Sequence, residues 1–184
     1  MAILSFAEAF DLVVMTLGVG YVFSGILRAP NQDPLAHRSV WKEICFAAAI
    51  AAPGVVFHEL AHKIVAIFLG LEATFHASYF GLGLGIVLKL MGLGIFFIPG
   101  YVLISGAQPL QSSLSSFAGP LMNLLIALIC MATLRYQKKL SHRTALALAL
   151  SQKLNFFLFG FNMIPLPPFD GYKVVFGLLE ALTG

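Results

Sequence analysis

Between about Glu43 and Gly70 the chain runs through an apolar stretch long enough to cross a bilayer, and in its middle stand His58, Glu59 and His62. Ionisable groups at membrane depth are expensive unless they bind an ion, pair with one another or line a water-filled cavity. Any fold of this chain must therefore bury the stretch and also give these three side chains something to do. A soluble solution is closed off by composition. The 184 residues are 59% hydrophobic and only 10% charged, against ~25% charged in an ordinary soluble domain.

Further apolar runs approach the ~20 residues that a spanning helix needs. The first extends roughly from Ile3 to Leu27 and ends at the turn-rich stretch from Arg28 to Pro34. Glu8 and Asp11 replace the basic start of a secretory signal, so this span is expected to be retained. The second, about Glu43 to Gly70, is expected to be interrupted by Pro53-Gly54. A third covers about Ser113 to Leu134 and a fourth Thr144 to Ile164, followed by the rigid Pro165-Leu-Pro-Pro168 and a short helix from Asp170 to about Leu182. Between the second and third lies a stretch from Leu71 to Gln111 rich in glycine, among them Gly81, Gly83, Gly85, Gly92, Gly94, Gly100 and Gly106. It reads as extended, hairpin-like or re-entrant chain, tolerable at membrane depth only where protein buries it or water lines it.

The expected fold is an α-helical integral membrane protein with about four transmembrane helices and a glycine-rich extended or re-entrant, β-like segment between the second and third. It forms one domain over residues 1–184, in a multi-pass protein of the cell membrane whose constant partner is the lipid bilayer. The net charge of +3 does not point to nucleic acid, because the basic residues gather in short loops and not along one stripe. Most of them fall in the loops at 28–42 and 135–143, which the positive-inside rule places in the cytoplasm, with the N-terminus outside. Cys45 and Cys130 lie in spans and suggest neither a disulfide framework nor a thiolate metal site.

The motif Phe57-His-Glu-Leu-Ala-His62 carries the chemistry. Residues four apart share a helix face, so both imidazoles can reach one metal ion, with Glu59 beside it as a general base for a metal-bound water. A catalytic zinc site generally takes a third protein ligand. The candidates are His37, His76, His142 and Asp170. The prolines before Asp170 would fix its carboxylate, although an aspartate there serves equally well as the N-cap of the following helix.

Three segments, His58-Glu-Leu-Ala-His62, Ala118-Gly-Pro-Leu-Met-Asn123 and Asn162 to Gly171, resemble in order and spacing the site-2 protease family of intramembrane zinc metalloproteases, in its compact form without PDZ or CBS domains. Ile98-Pro-Gly-Tyr-Val102 is similar to that family's glycine-rich stretch. The resemblance covers about Pro53 to Leu179. It implies a Zn²⁺ cofactor held by His58, His62 and Asp170, catalysis by Glu59, and a transmembrane or membrane-tethered protein as substrate. It further implies that Asn162 orients or polarises the scissile carbonyl, and that Gly119 and Asn123 let the third span pack against the zinc helix. For Asn123 the resemblance implies a substrate or oxyanion role as well, beside the alternative of an interhelical hydrogen bond with no catalytic part. Tyr172 departs from the pattern, which often has a second glycine there. The resemblance places the zinc nearer the cytoplasm, whereas the charge count places it on the far side. The reading from a different class is a membrane zinc-binding or transport protein, in which His58, His62 and Asp170 pass or sense the ion.

Overall fold

The computed structural model describes residues 4–25, 27, 39–93 and 98–184. Their order is α1 (Phe6–Phe23), α2 (Val40–Phe68), β1 (Glu72–Ala77), α3 (Tyr79–Leu90), β2 (Gly100–Ser105), α4 (Pro109–Tyr136), α5 (His142–Asn162) and α6 (Asp170–Thr183). Among the described residues, α1, α2, α4 and α5 are long and apolar enough to cross a membrane. At 1.5 Å per residue the 29-residue α2 reaches about 44 Å, well beyond the ~30 Å hydrocarbon core.

Local sequence sets where these helices begin. In α1 the Ser5 hydroxyl accepts the Glu8 amide while the Glu8 carboxylate accepts the Ser5 amide, a reciprocal cap. Pro109 opens α4 at its first turn, where its missing N–H is not needed. Pro53 and Pro120, by contrast, sit inside α2 and α4. The expected interruption of the second span at Pro53-Gly54 is not seen, since the helix continues through it. Neighbouring helices can resupply the backbone bond that such a proline removes at membrane depth.

The glycine-rich stretch is a mixed structure. β1 and β2 pair antiparallel, with Phe75 opposite Val102 and Ala77 opposite Gly100. Their connection contains a 12-residue helix, so Tyr79–Leu90 corrects the expectation of extended chain. Two contacts outweigh the helix penalty of ~1 kcal/mol per glycine: the Ser78 hydroxyl accepts the Gly81 amide at the helix start, and Leu82 enters the core. Gly94 lies outside the described residues.

The buried core joins Met15 and Val19 of α1, Ala51, Ala52 and Val55 of α2, Phe75 and Ala77 of β1, and Leu82 of α3. A second packing layer places α4 against α2, α5 and α6. The α4 face within it is made of small residues, Ser113, Ser115, Ser116, Ala118 and Gly119, which allow the close backbone approach on which helix association in lipid relies. Cys45 is exposed and Cys130 buried, both as free thiols.

Candidate metal centre

His58 and His62 lie one turn apart on α2, and Asp170 is the first residue of α6. The distance between the two Nε2 atoms is 3.0 Å, and Asp170 Oδ2 lies 3.1 Å from that of His58 and 3.4 Å from that of His62. The N-cap of α6 is Phe169, not Asp170, whose carboxylate turns to the imidazoles. Glu59, beside His58 in the chain, is as buried as the two histidines, each no more than 7% exposed.

Both rings are held from behind. His62 Nδ1 donates to the Ser115 carbonyl at 2.7 Å, and His58 Nδ1 lies 2.7 Å from Asn123 Oδ1. A carbonyl can only accept, so the proton of neutral His62 sits on Nδ1 and its Nε2 presents a lone pair. Asn123 is oriented in turn by its Nδ2, which donates to the Gly54 carbonyl at 3.0 Å and to Asn155 Oδ1 at 2.9 Å. Its oxygen therefore faces His58, giving that ring the same tautomer. With both rings neutral in this tautomer, two lone pairs and a carboxylate oxygen converge, a set that a cation completes. Their separations match the ~3.3 Å edge of a tetrahedral site with zinc–ligand bonds of ~2.0 Å, and hydrogen bonds that fix the far ring nitrogen are what metal-ligating histidines usually have.

The fold permits this convergence through two glycines. A Cβ on Gly119 would stand 2.8 Å from His58 Cε1 and closer still to the His62 ring, so a side chain there would displace the imidazoles. A Cβ on Gly171 would press on the Ile164 carbonyl at 2.7 Å, so only glycine lets α6 start this close to the end of α5. The Ser113 hydroxyl donates to the Val174 carbonyl at 2.8 Å and fastens α6 to α4.

The other sequence candidates fall elsewhere. His76 stacks at an angle on Tyr101 across the strand pair, with ring centroids 5.7 Å apart, and His142 begins α5. His37 lies outside the described residues. Asn162 ends α5, half-buried, with no hydrogen bond to the three converging residues among the described ones. Sequence reasoning missed Asn155 and the buried pair of Glu8 with Lys63. The signal that finds both is a polar side chain inside an apolar span.

A helical chain with four helices of spanning length and a His–His–carboxylate centre flanked by a buried glutamate defines a membrane-type metalloprotein with hydrolytic equipment. The comparisons carry this further. The chain is 34% identical over 170 residues to the Methanocaldococcus jannaschii protein named "Putative zinc metalloprotease MJ0611", a match spanning 91% of this chain and 83% of the relative. The chain belongs to the zinc metalloprotease family of that relative. No family model matches it, and neither does any solved structure.

Proposed function

We propose that the chain is a zinc-dependent endopeptidase of the site-2 protease type, which cuts a peptide bond within or near a transmembrane segment of a membrane protein. The observation that carries this reading is the convergence of Asp170, at the start of α6, with His58 and His62, which stand beside Glu59 on a helix apolar and long enough to span the bilayer. The two nitrogens and one carboxylate oxygen are a usual donor set for catalytic zinc, with a position left for water.

Zinc held by these three residues would polarise the scissile carbonyl and make water acidic enough to lose a proton near neutral pH. Glu59 takes that proton from the attacking water and returns it to the leaving amine. Its carboxylate is suited to this, because no hydrogen bond engages it among the described residues, whereas both imidazoles are held through their Nδ1 atoms. Asn162, half-buried at the end of α5, offers an amide donor to the scissile carbonyl. Asn123 acts through His58, since its oxygen and both amide protons are already engaged.

The strand pair supports a docking mode for an unwound substrate. The Phe75 amide donates to Glu8 and the Ala77 amide to Asp11, so α1 covers the outer edge of β1. By the register, the Val102 and Ile104 amides face away from β1. β2 is therefore the edge to which an extended segment adds. A cut there would free a membrane-tethered regulator from its anchor.

The test is reconstitution in liposomes with zinc and a model single-span protein, with the products mapped by mass spectrometry. The expected result is a cut in or beside the span that a zinc chelator abolishes. An intact substrate, together with zinc flux across the liposome that depends on His58, would put a transporter in place of the protease.

A further inference from the structure

Among the described residues, Asn155 is the one position of α5 that is wholly buried. An amide is costly at such a place unless all its hydrogen-bonding groups are paired. Asn155 meets that condition in a directional way. Its Nδ2 donates to the Ser151 carbonyl at 2.8 Å and to the Ser151 hydroxyl at 3.3 Å. The carbonyl can only accept, so the amide has one orientation, with Oδ1 pointing at Asn123. There it accepts from Asn123 Nδ2 at 2.9 Å, while the other Nδ2 proton goes to the Gly54 carbonyl at 3.0 Å. Two acceptors on one side of Asn123 turn its Oδ1 toward His58 Nδ1, 2.7 Å away.

We propose that Asn155 is a positioning residue for the metal centre: acting through Asn123, it selects the Nδ1–H tautomer of His58 and so keeps Nε2 as the ligating nitrogen. The inference rests on the metal-centre reading above. It deepens that reading by giving α5 a part in the site without contact to substrate or to the converging donor atoms. Replacing Asn155 by an apolar residue leaves one Asn123 amide proton unpaired inside the helix bundle and removes one of the two acceptors that orient it. The reversed orientation of Asn123 would place an N–H against His58, select the other tautomer, and take the lone pair off Nε2.

A buried asparagine in a membrane helix often does no more than join helices, so the test reads the tautomer itself. Full-length protein in detergent, with isotope-labelled histidine and no metal, is examined by long-range nitrogen–proton NMR, which distinguishes Nδ1–H from Nε2–H rings. Zinc affinity is measured alongside by competition with a chromophoric chelator. Wild type is expected to show His58 as Nδ1–H. Asn155→Leu is expected to populate Nε2–H and to bind zinc about tenfold more weakly, the lower end of the range for an outer partner of a ligating histidine. Asn155→Asp keeps an oxygen acceptor for Asn123 and is expected to retain both wild-type properties.

The proposal is overturned if wild-type His58 is Nε2–H. It is overturned equally if Asn155→Leu lowers only the melting temperature, with the tautomer unchanged and zinc affinity within twofold. Should Asn155→Leu not fold, Asn155→Asp decides: retention of Nδ1–H supports the proposal, and Nε2–H overturns it. The predicted tautomer response in a protein that cuts no substrate would uphold this inference while removing the protease reading.

Discussion

Glu8 on the first turn of α1 and Lys63, the residue after His62, form a buried ion pair. The same Glu8 oxygen accepts the Phe75 amide at 2.8 Å, so one carboxylate ties α1, α2 and β1 together. Asp11, one turn further along, accepts the Ala77 amide at 3.0 Å and the Tyr79 hydroxyl at 2.6 Å. α1, which carries none of the motifs of the metal centre, is thus the backing on which the strand pair rests.

Removing one member of this pair leaves the other charge buried and unpartnered, which typically costs about 3–5 kcal/mol, whereas replacing both is often close to neutral. Lys63→Met is expected to lower thermal stability in detergent strongly. The double variant Glu8→Gln with Lys63→Met is expected to regain most of it. Equal melting temperatures for the single variant and wild type would show that the pair contributes nothing.

Zinc should stabilise the folded chain by mass action, by about 2.7 kcal/mol when free zinc is a hundredfold above Kd. The melting temperature of wild type is therefore expected to rise with added zinc. Asp170→Ala, which removes the only oxygen donor of the three, is expected to show no rise at the same concentrations. A full zinc response in Asp170→Ala would remove Asp170 from the ligand set.

Gly119→Ala tests the closeness of α4 to the two imidazoles. Alanine favours the helix by ~1 kcal/mol over glycine, so loss of function through poor helix formation is not expected. The added methyl nevertheless meets both rings. The expected outcome is a folded protein with zinc affinity about tenfold weaker, comparable to disturbing a partner of a ligating histidine. Unchanged affinity would mean that the rings have room to move.

The spans were legible because lipid demands continuous apolar helices, and hydropathy reports that demand directly. Their ends were not: α2 begins at Val40, and α4 at Pro109, where the Gln108 amide donates to the Gln111 side chain. Glycine content misled at Tyr79–Leu90, where the Ser78 cap and burial of Leu82 decide for helix. His58, Glu59 and His62 were readable from spacing alone. For Asp170 spacing left an N-cap and a ligand side by side, and only the family resemblance pointed to the ligand; the structure gives the cap to Phe169 and turns the carboxylate to the imidazoles. Asn155 stands out only as a polar side chain in an apolar span, which assigns it no role; its meaning comes from Asn123, 32 positions earlier.

The most direct measurement is zinc content per chain together with the rate of substrate cleavage, for wild type and Glu59→Gln side by side. Wild type is predicted to hold about one zinc per chain and to cut. Glu59→Gln is predicted to hold the same zinc and to cut at least ~100-fold more slowly, the lower range for loss of a general base. A Glu59→Gln variant that binds zinc and still cuts at the wild-type rate would contradict the account.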